Sequence, residues 1–181
     1  MKHFKNLDYQ KYLKENPIHL LLDIDLTTYG SVEKKIERSP YETVNNNDYP
    51  NATELDDLIR LHYLVRSRKV TTILEIGVGK STAVFSDALS KNKDLYQEYV
   101  TKNLRRSNPF ECHSVDNNKE WVDAVKLKNK SLKNISYYFC KCEVSSINSR
   151  ICTLFDGMPN ICPDLIYLDG PDQFSPEGDI R

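Results

Sequence analysis

The chain has no long apolar run and no excess of charge of one sign. Its 181 residues include 25 Lys and Arg against 26 Asp and Glu, a formal net charge of −1. Bulk charge therefore gives no support to a nucleic-acid or anionic-membrane partner. No segment approaches the roughly 18 apolar residues of a membrane span. Residues 1–12 also lack the apolar core of a signal peptide.

Close cysteine pairs of the C-x-x-C type are missing as well, although there are five cysteines. The number is odd and several lie in apolar, strand-like runs, so we interpret them as reduced, structural thiols of a cytoplasmic protein. Zinc is the alternative, but the closest pair is C-x-C without a neighbouring histidine, and we predict no metal site there. The five are Cys112, Cys140, Cys142, Cys152 and Cys162.

By pattern, the chain has an N-terminal arm and one larger domain. Residues 1–52 are punctuated by prolines and an Asn-rich stretch, and we expect there a helix over 7–14 and an extended piece over 19–24. From residue 53 onward, helical and β-branched segments alternate. We therefore predict an irregular arm, 1–52, followed by an α/β domain, 53–181.

Four apolar segments of this domain are predicted strands, and helical patterns separate them. The strands are 70–76, 112–115, 135–140 and 164–169. The helices are 53–69, a helix from residue 81 or 82 that is interrupted at 91–94, 119–128 and 146–155. This alternation predicts a Rossmann-like parallel sheet of about four strands with helices on both faces.

Each predicted strand has an acidic or glycine-rich group at or just beyond its carboxyl end, where doubly wound sheets bind ligands. In strand order the groups are Glu75 with the turn Gly77 and Gly79, then Asp116, then Glu143 in a loop over 141–143, then Asp169 and Asp172. Because parallel strands end at one edge of the sheet, we expect these groups to converge.

The glycine turn does not fit two common nucleotide motifs. The Walker pattern needs a glycine five residues before Gly79, where Leu74 lies inside the strand. The dinucleotide pattern would place its third glycine at Thr82, and threonine is too large for the close helix–strand packing required there. We therefore expect neither a nucleoside triphosphate nor NAD at this turn.

The remaining pattern is E-x-G-x-G-x-S after a β-branched strand, formed by Glu75, Gly77, Gly79 and Ser81. It resembles motif I of the class I methyltransferases that use S-adenosylmethionine. The resemblance extends to Asp116 at the end of the second strand and to the acidic segment 164–172. It covers about residues 70–172 and implies a partial class I methyltransferase fold.

This resemblance implies a cofactor site at the carboxyl edge. Glu75 would order the turn or face the cationic methionine end, and Asp116 would accept hydrogen bonds from the ribose hydroxyls. Glu143 or the neighbouring backbone would meet the adenine. Asp169 would lie beside the reacting methyl, with Asp169 or Asp172 as a candidate catalytic base. A divalent cation at these last two acids is a weaker alternative.

Each candidate also has a purely structural interpretation. The glycines can serve as turn formers only, and the acids of strands three and four as solvated surface or turn residues. Asp116 can cap the following helix, with Asn117 and Asn118 as rivals for that role. We expect Trp121 in the core rather than at a substrate site, and His113 packed rather than catalytic.

A complete class I sheet has seven strands, and the pattern supplies four. We therefore expect a shortened methyltransferase with little transfer activity or, alternatively, a non-catalytic interaction protein that keeps half of the fold. The apolar strand 165–168 would then be an edge, able to pair with a second copy in a homodimer. Our default methyl acceptor is a small molecule or carbohydrate, with neither nucleic acid nor membrane as a partner.

Overall fold

A computed structural model of the protein describes residues 4, 7–24, 26, 55–171, 174–175 and 178–179. The chain divides into two compact units, Met1–Arg60 and Leu61–Arg181. The predicted boundary at residues 52 and 53 lies outside the described residues and stays a prediction.

The first unit contains two short helices and the first turns of a third. They are α1 (Tyr9–Glu15), α2 (Ile18–Leu21) and α3 (Leu55–Ser67), which continues into the second unit. Asp8 caps α1, because its side chain accepts a hydrogen bond from the backbone N–H of Lys11 at 3.0 Å. The helix predicted over 7–14 is thus confirmed.

The extended piece predicted over 19–24 is wrong, because α2 occupies most of this stretch. Pro17 directly precedes Ile18, and its φ of −75° suits the start of a helix. The apolar residues that follow therefore form a helical turn rather than a strand.

The second unit is built on a parallel sheet of four strands, with two small antiparallel pairs beside it. The parallel strands are β1 (Thr72–Ile76), β2 (Glu111–Asp116), β3 (Ile135–Phe139) and β6 (Leu165–Leu168), in the order β3-β2-β1-β6. The antiparallel pairs are β4 (Cys142–Ile147) with β5 (Arg150–Phe155), and β7 (Phe174–Ser175) with β8 (Gly178–Asp179). The predicted α/β class and four-stranded parallel sheet are confirmed.

Two long helices complete the unit, α4 (Lys80–Asn103) and α5 (Lys119–Lys128). The predicted break at 91–94 is wrong, since α4 runs through it without interruption. Asn92, which suggested the break, is fully buried, and its side-chain amide donates to the carbonyls of Val65 and Val70 at 3.1 and 2.9 Å. A polar residue inside this helix therefore anchors it to the end of α3 and to the entry of β1.

The two faces of the sheet are covered differently. Ile73 and Cys112 face a core cluster that includes Phe85 of α4 and the end of α3, and α5 packs against Tyr137 on this same face. On the opposite face Leu74 belongs to a cluster with the end of β5 and the loop that follows it. In the described part of the chain, the three long helices thus share one face, whereas the prediction expected helices on both.

The predicted helix over 146–155 is wrong, because β4 and β5 form a hairpin there. Ile147, Ile151 and Phe155 lie four residues apart, a spacing that suits a helix. However, Asn148 and Ser149 both have positive φ, 51° and 64°, as the two central residues of a type I′ hairpin turn do. The local turn therefore decides the structure against the apolar spacing.

All five cysteines are free of disulfide bonds, and the reduced state of their thiols stays a prediction. Three or more potential metal ligands do not cluster anywhere among the described residues. No helix in the described ranges is long and apolar enough to cross a membrane.

Asn92→Ala tests the internal anchor of α4. The variant removes the amide that donates to the carbonyls of Val65 and Val70, while the Val65 carbonyl keeps the N–H of Val70 at 3.0 Å. It also removes the acceptor for Arg66, whose guanidinium donates to the Asn92 oxygen at 2.7 Å. We expect a loss of about 2 kcal/mol or more in the free energy of unfolding, measured by urea denaturation. Asn103→Ala is the matched control on the exposed end of α4, with an expected change below about 0.5 kcal/mol. Equal losses in both variants would contradict the anchoring role.

Candidate functional site

The order of the strands places a crevice at the carboxyl edge of the sheet. β1 pairs with β2 on one side and with β6 on the other. The chain thus leaves β1 towards β2 and later returns to its other side, which makes this the topological switch point where such sheets bind ligands. The turn that follows β1, residues 77–79, lies at this point.

Glu75 organises the turn from beneath. Its side chain is fully buried, and three hydroxyl groups donate to its carboxyl oxygens: Ser81 at 2.5 Å, Thr82 at 2.6 Å and Ser114 at 2.7 Å. Two of these hydroxyls belong to the first turn of α4 and the third to β2. Thr82 in turn accepts the backbone N–H of Gly79 at 3.0 Å. The carboxyl therefore connects β1, β2, the turn and α4.

Burial raises the pKa of Glu75 from its ordinary value of 4.5 to about 7, although the three hydroxyl donors act in the opposite direction. The negative charge of Asp169 raises it further. Of the two roles expected for Glu75, the structure shows the ordering of the turn, and the buried carboxyl is engaged by the protein itself.

Gly77 is required by geometry. Its φ is +105°, and a Cβ at this position would lie 2.5 Å from the carbonyl oxygen of Asp169. The N–H of Gly77 donates to Val115 at 2.8 Å, and the N–H of Asp169 donates to Ile76 at 2.7 Å. The turn after β1 and the segment after β6 therefore pass each other at backbone distance, which brings Asp169 to the switch point.

Gly79 is in a different position. Its backbone is extended, with φ −172°, and no atom lies within 4 Å of the place that a Cβ would take. Packing therefore does not demand glycine at the start of α4. The absence of a side chain leaves open space beside the turn instead.

Asp116 connects the turn to the element that follows β2. One carboxyl oxygen accepts the N–H of Val78 at 2.9 Å, and the other accepts the N–H of Asn118 at 2.9 Å. The N-cap of α5 is Asn118, whose side chain accepts the N–H of Trp121 at 3.0 Å. Asp116 is half-buried and keeps a second lone pair on each oxygen, so it can still accept hydrogen bonds from a ligand.

Two residues that follow Asp116 in the chain lie at this edge of the sheet, although the sequence did not single them out as site residues. The indole N–H of Trp121 donates to the carbonyl of Val78 at 2.6 Å, and the side chain is 43% exposed, so its expected place in the core is wrong. Asn117 has a buried side-chain oxygen without a hydrogen-bond partner in the described part of the chain. The available signal for Asn117 was its position directly after a strand that ends in an acid, whereas Trp121 lies in the first turn of α5, five residues beyond that acid.

The remaining predicted residues differ in how they relate to this edge. Asp169 is exposed beside the turn and accepts the hydroxyl of Tyr167 at 3.2 Å. Glu143, expected in a loop, lies instead in β4, is exposed and pairs with Leu154. No hydrogen bond or ion pair joins Glu143 to the other described candidates. Asp172 lies outside the described residues.

Comparisons with known proteins give no relative for this chain. No protein-family model, no curated protein and no solved structure matches it. The groups that this edge offers to a ligand are hydrogen-bond acceptors, a close-packed turn and an exposed carboxylate.

Gly77→Ala tests the close approach of the two backbones. The added Cβ would collide with the Asp169 carbonyl in a conformation that L-residues rarely adopt, so we expect at least about 2 kcal/mol of destabilisation in thermal or urea unfolding. Gly79→Ala is the matched control, and we expect it to change stability by less than about 1 kcal/mol. Comparable effects of the two substitutions would show that the two backbones do not approach each other closely in solution.

The pH dependence of the unfolding free energy, compared between the wild type and Glu75→Gln, tests whether this carboxyl is buried. Folding raises the pKa of Glu75 from 4.5 to about 7, so a protonated Glu75 favours the folded state. This contribution to stability is fully present below pH 4.5 and is lost as the pH rises through 7. Between pH 5 and pH 8 we expect the wild type to lose on the order of 2 kcal/mol of unfolding free energy relative to the variant.

The difference in unfolding free energy between the wild type and Glu75→Gln is free of the contributions of other titrating groups. Burial lowers the pKa of His62, against the effect of its hydrogen bond to Asp87, and this histidine contributes a slope of opposite sign. That slope is common to both proteins and cancels in their difference. Stability profiles that stay parallel from pH 5 to pH 8 would mean that Glu75 is not buried as described.

Proposed function

We propose that the protein binds S-adenosylmethionine at the carboxyl edge of the sheet and belongs functionally to the methyltransferases. The observation that carries this proposal is the meeting of three groups at the switch point. They are the turn held by Glu75, the half-buried carboxylate of Asp116, and Asp169 at backbone distance from Gly77. The pattern resembling motif I thus coincides with the place where the topology favours a ligand.

The acceptors at this edge suit the nucleoside part of the cofactor. Asp116 would accept hydrogen bonds from the ribose hydroxyls with the lone pairs that Val78 and Asn118 leave unused. The buried, unpartnered oxygen of Asn117 would accept from an amino or hydroxyl group of the ligand. The open space at Gly79 would allow the ligand to approach the backbone. The residues present therefore fit the cofactor.

Bound S-adenosylmethionine supplies a methyl group activated by a sulfonium. Asp169 would stand near the reacting centre and, with Asp172, is our candidate for the base that takes a proton from the acceptor. The exposed carboxylate of Asp169 would also attract the positive charge of the sulfonium. A divalent cation held by these two acids remains the weaker alternative for this position.

We take the acceptor to be a small molecule or carbohydrate, and the cell compartment to be the cytoplasm. The balanced net charge supports the first choice over a nucleic acid, and the five free thiols support the second.

The decisive variant is Asp116→Ala, measured by calorimetric titration with S-adenosylmethionine. Loss of a charged acceptor typically costs about 1.5–3 kcal/mol, so we expect at least about a tenfold weaker Kd. Asp116→Asn keeps the size of the side chain and shows how much of the loss comes from the charge.

Asp123→Ala is the matched control for this titration. Asp123 pairs with Lys119 on the exposed side of α5, at 2.9 Å, and among the described residues no hydrogen bond or ion pair joins it to the turn or to Asp116. We expect its Kd to equal that of the wild type. Equal dissociation constants for the alanine variants at 116 and 123 would remove Asp116 from the site.

A second candidate function is a non-catalytic interaction module. Ile166 and Leu168 of β6 are 61% and 67% exposed, and in the described residues β6 pairs on one side only, with β1. An apolar edge of this kind can pair with a second copy in a homodimer. The same titration separates the candidates, because heat of binding to S-adenosylmethionine is expected only from the first.

A further inference from the structure

A cavity of about 360 Å³ opens at the amino end of the sheet, away from the carboxyl edge. Four segments form its wall: the start of β1, the loop that leads into β2, β2 itself at His113, and the loop that leads into β6. Its lining residues are Thr72, Arg105, Arg106, Ser107, Asn108, His113, Asn160, Ile161 and Cys162. Seven of these nine residues carry a cationic or polar side chain, among them two arginines and a histidine.

The two arginines differ in what they bind. Arg106 donates to the carbonyl of Cys162 at 2.6 Å and forms an ion pair with Asp164. Asp164 is itself held by Thr71, whose N–H and hydroxyl donate to it at 2.9 and 2.6 Å. Arg106 is therefore a fixed part of the wall. Arg105 is exposed and has no ion-pair or hydrogen-bond partner among the described residues, so its guanidinium is available to a ligand.

His113 is the second side chain of the cavity with a polar atom that is available to a ligand. The side chain is only 2% exposed, and its Nδ1 lies 3.0 Å from the hydroxyl of Tyr138. Its Nε2 is buried without a hydrogen-bond partner in the described structure. The expectation of a packed histidine is thus confirmed, but one polar nitrogen of this cavity-lining side chain is left unsatisfied, which is costly unless something bonds to it.

The charges around His113 indicate which partner this nitrogen takes. Burial lowers the pKa of His113, against the effect of Glu111, so the ring is neutral near pH 7. The carboxylate of Glu111 lies 3.6 Å from Nε2, too far for a hydrogen bond, and favours a proton on that nitrogen. With the Tyr138 hydroxyl donating to Nδ1, the Nε2–H becomes a donor. The cavity then presents donors from His113 and Arg105.

We propose that this cavity binds a small oxyanion group, such as the phosphate of a small metabolite, through Arg105 with His113 as a second donor. A guanidinium presents its N–H groups in a fork that matches phosphate oxygens. The amide of Asn108 and the hydroxyl of Ser107 add polar contacts at the rim. Of the nearby acids, Asp164 is neutralised by Arg106, which leaves Glu111 as the opposing charge.

Cys162 offers a direct reporter, because its exposed thiol lines the cavity. The probe is inorganic phosphate at constant ionic strength, and the readout is the rate of alkylation by iodoacetamide at each cysteine, followed by mass spectrometry. A bound oxyanion would block access to the thiol, so we expect phosphate to slow modification at Cys162. Cys152 in the β4–β5 hairpin is the internal control and should be unaffected.

Arg105→Gln should raise the phosphate concentration for half-protection of Cys162 about five- to tenfold, whereas Arg105→Lys should recover part of the loss. Arg150→Gln, in the exposed hairpin, is the matched control and should behave as the wild type. Each protein is compared with itself without phosphate, and circular dichroism verifies its fold. A Cys162 rate that does not depend on phosphate, or equal protection in the glutamine variants at 105 and 150, would overturn the proposal.

Discussion

Three hydroxyl groups converge on the buried carboxyl of Glu75, and the geometry of the whole carboxyl edge depends on this contact. Ser114 holds β2 in register beside β1, while Ser81 and Thr82 hold the first turn of α4. A carboxyl group without exposure to water is stable only when its oxygens are satisfied by the protein. The turn between β1 and α4 is therefore fixed from the inside, before any ligand is present.

A second constraint joins the other side of the crevice to this turn. Gly77 lets the backbone after β1 pass against Asp169 and Gly170 after β6, at distances that no side chain would allow. Asp116 completes the arrangement from β2 through the N–H of Val78. The residues proposed to hold the cofactor are thus positioned by backbone contacts and short polar side chains rather than by long, mobile ones. Such a site is organised before binding and costs little conformational entropy to occupy.

The parallel sheet and its edge could be predicted from the sequence because their signals are local. β-Branched runs that end in a glycine turn or an acid define both the strands and the ends that meet at one edge, and this placed Glu75, Asp116 and Asp169 correctly. The hairpin of β4 and β5 could not be predicted in the same way. Its apolar residues also fit helical spacing, and the deciding feature was the turn at Asn148 and Ser149.

The predictions for Asn92 and Trp121 were wrong because both residues bond to partners that are distant in sequence. An asparagine inside a helical pattern suggests a break at Asn92. The structure shows instead that its side chain donates to Val65 and Val70, more than twenty residues earlier in the chain. Trp121 fits an apolar helix face, but its indole N–H finds the carbonyl of Val78, 43 residues earlier. Spacing along the chain carries no information about such partners, which is why the site gained residues once the fold was known.

Above all we propose the binding of S-adenosylmethionine at the carboxyl edge of the sheet. Its most direct test is a ¹⁵N–¹H correlation spectrum of the full chain recorded with and without the cofactor. We expect the amide signals of Gly77, Gly79 and Asn117 to move in a saturable manner, while those of the β4–β5 hairpin stay in place. Unchanged signals at the turn with the cofactor in millimolar excess, or shifts confined to the hairpin or to the amino-end cavity, would contradict it.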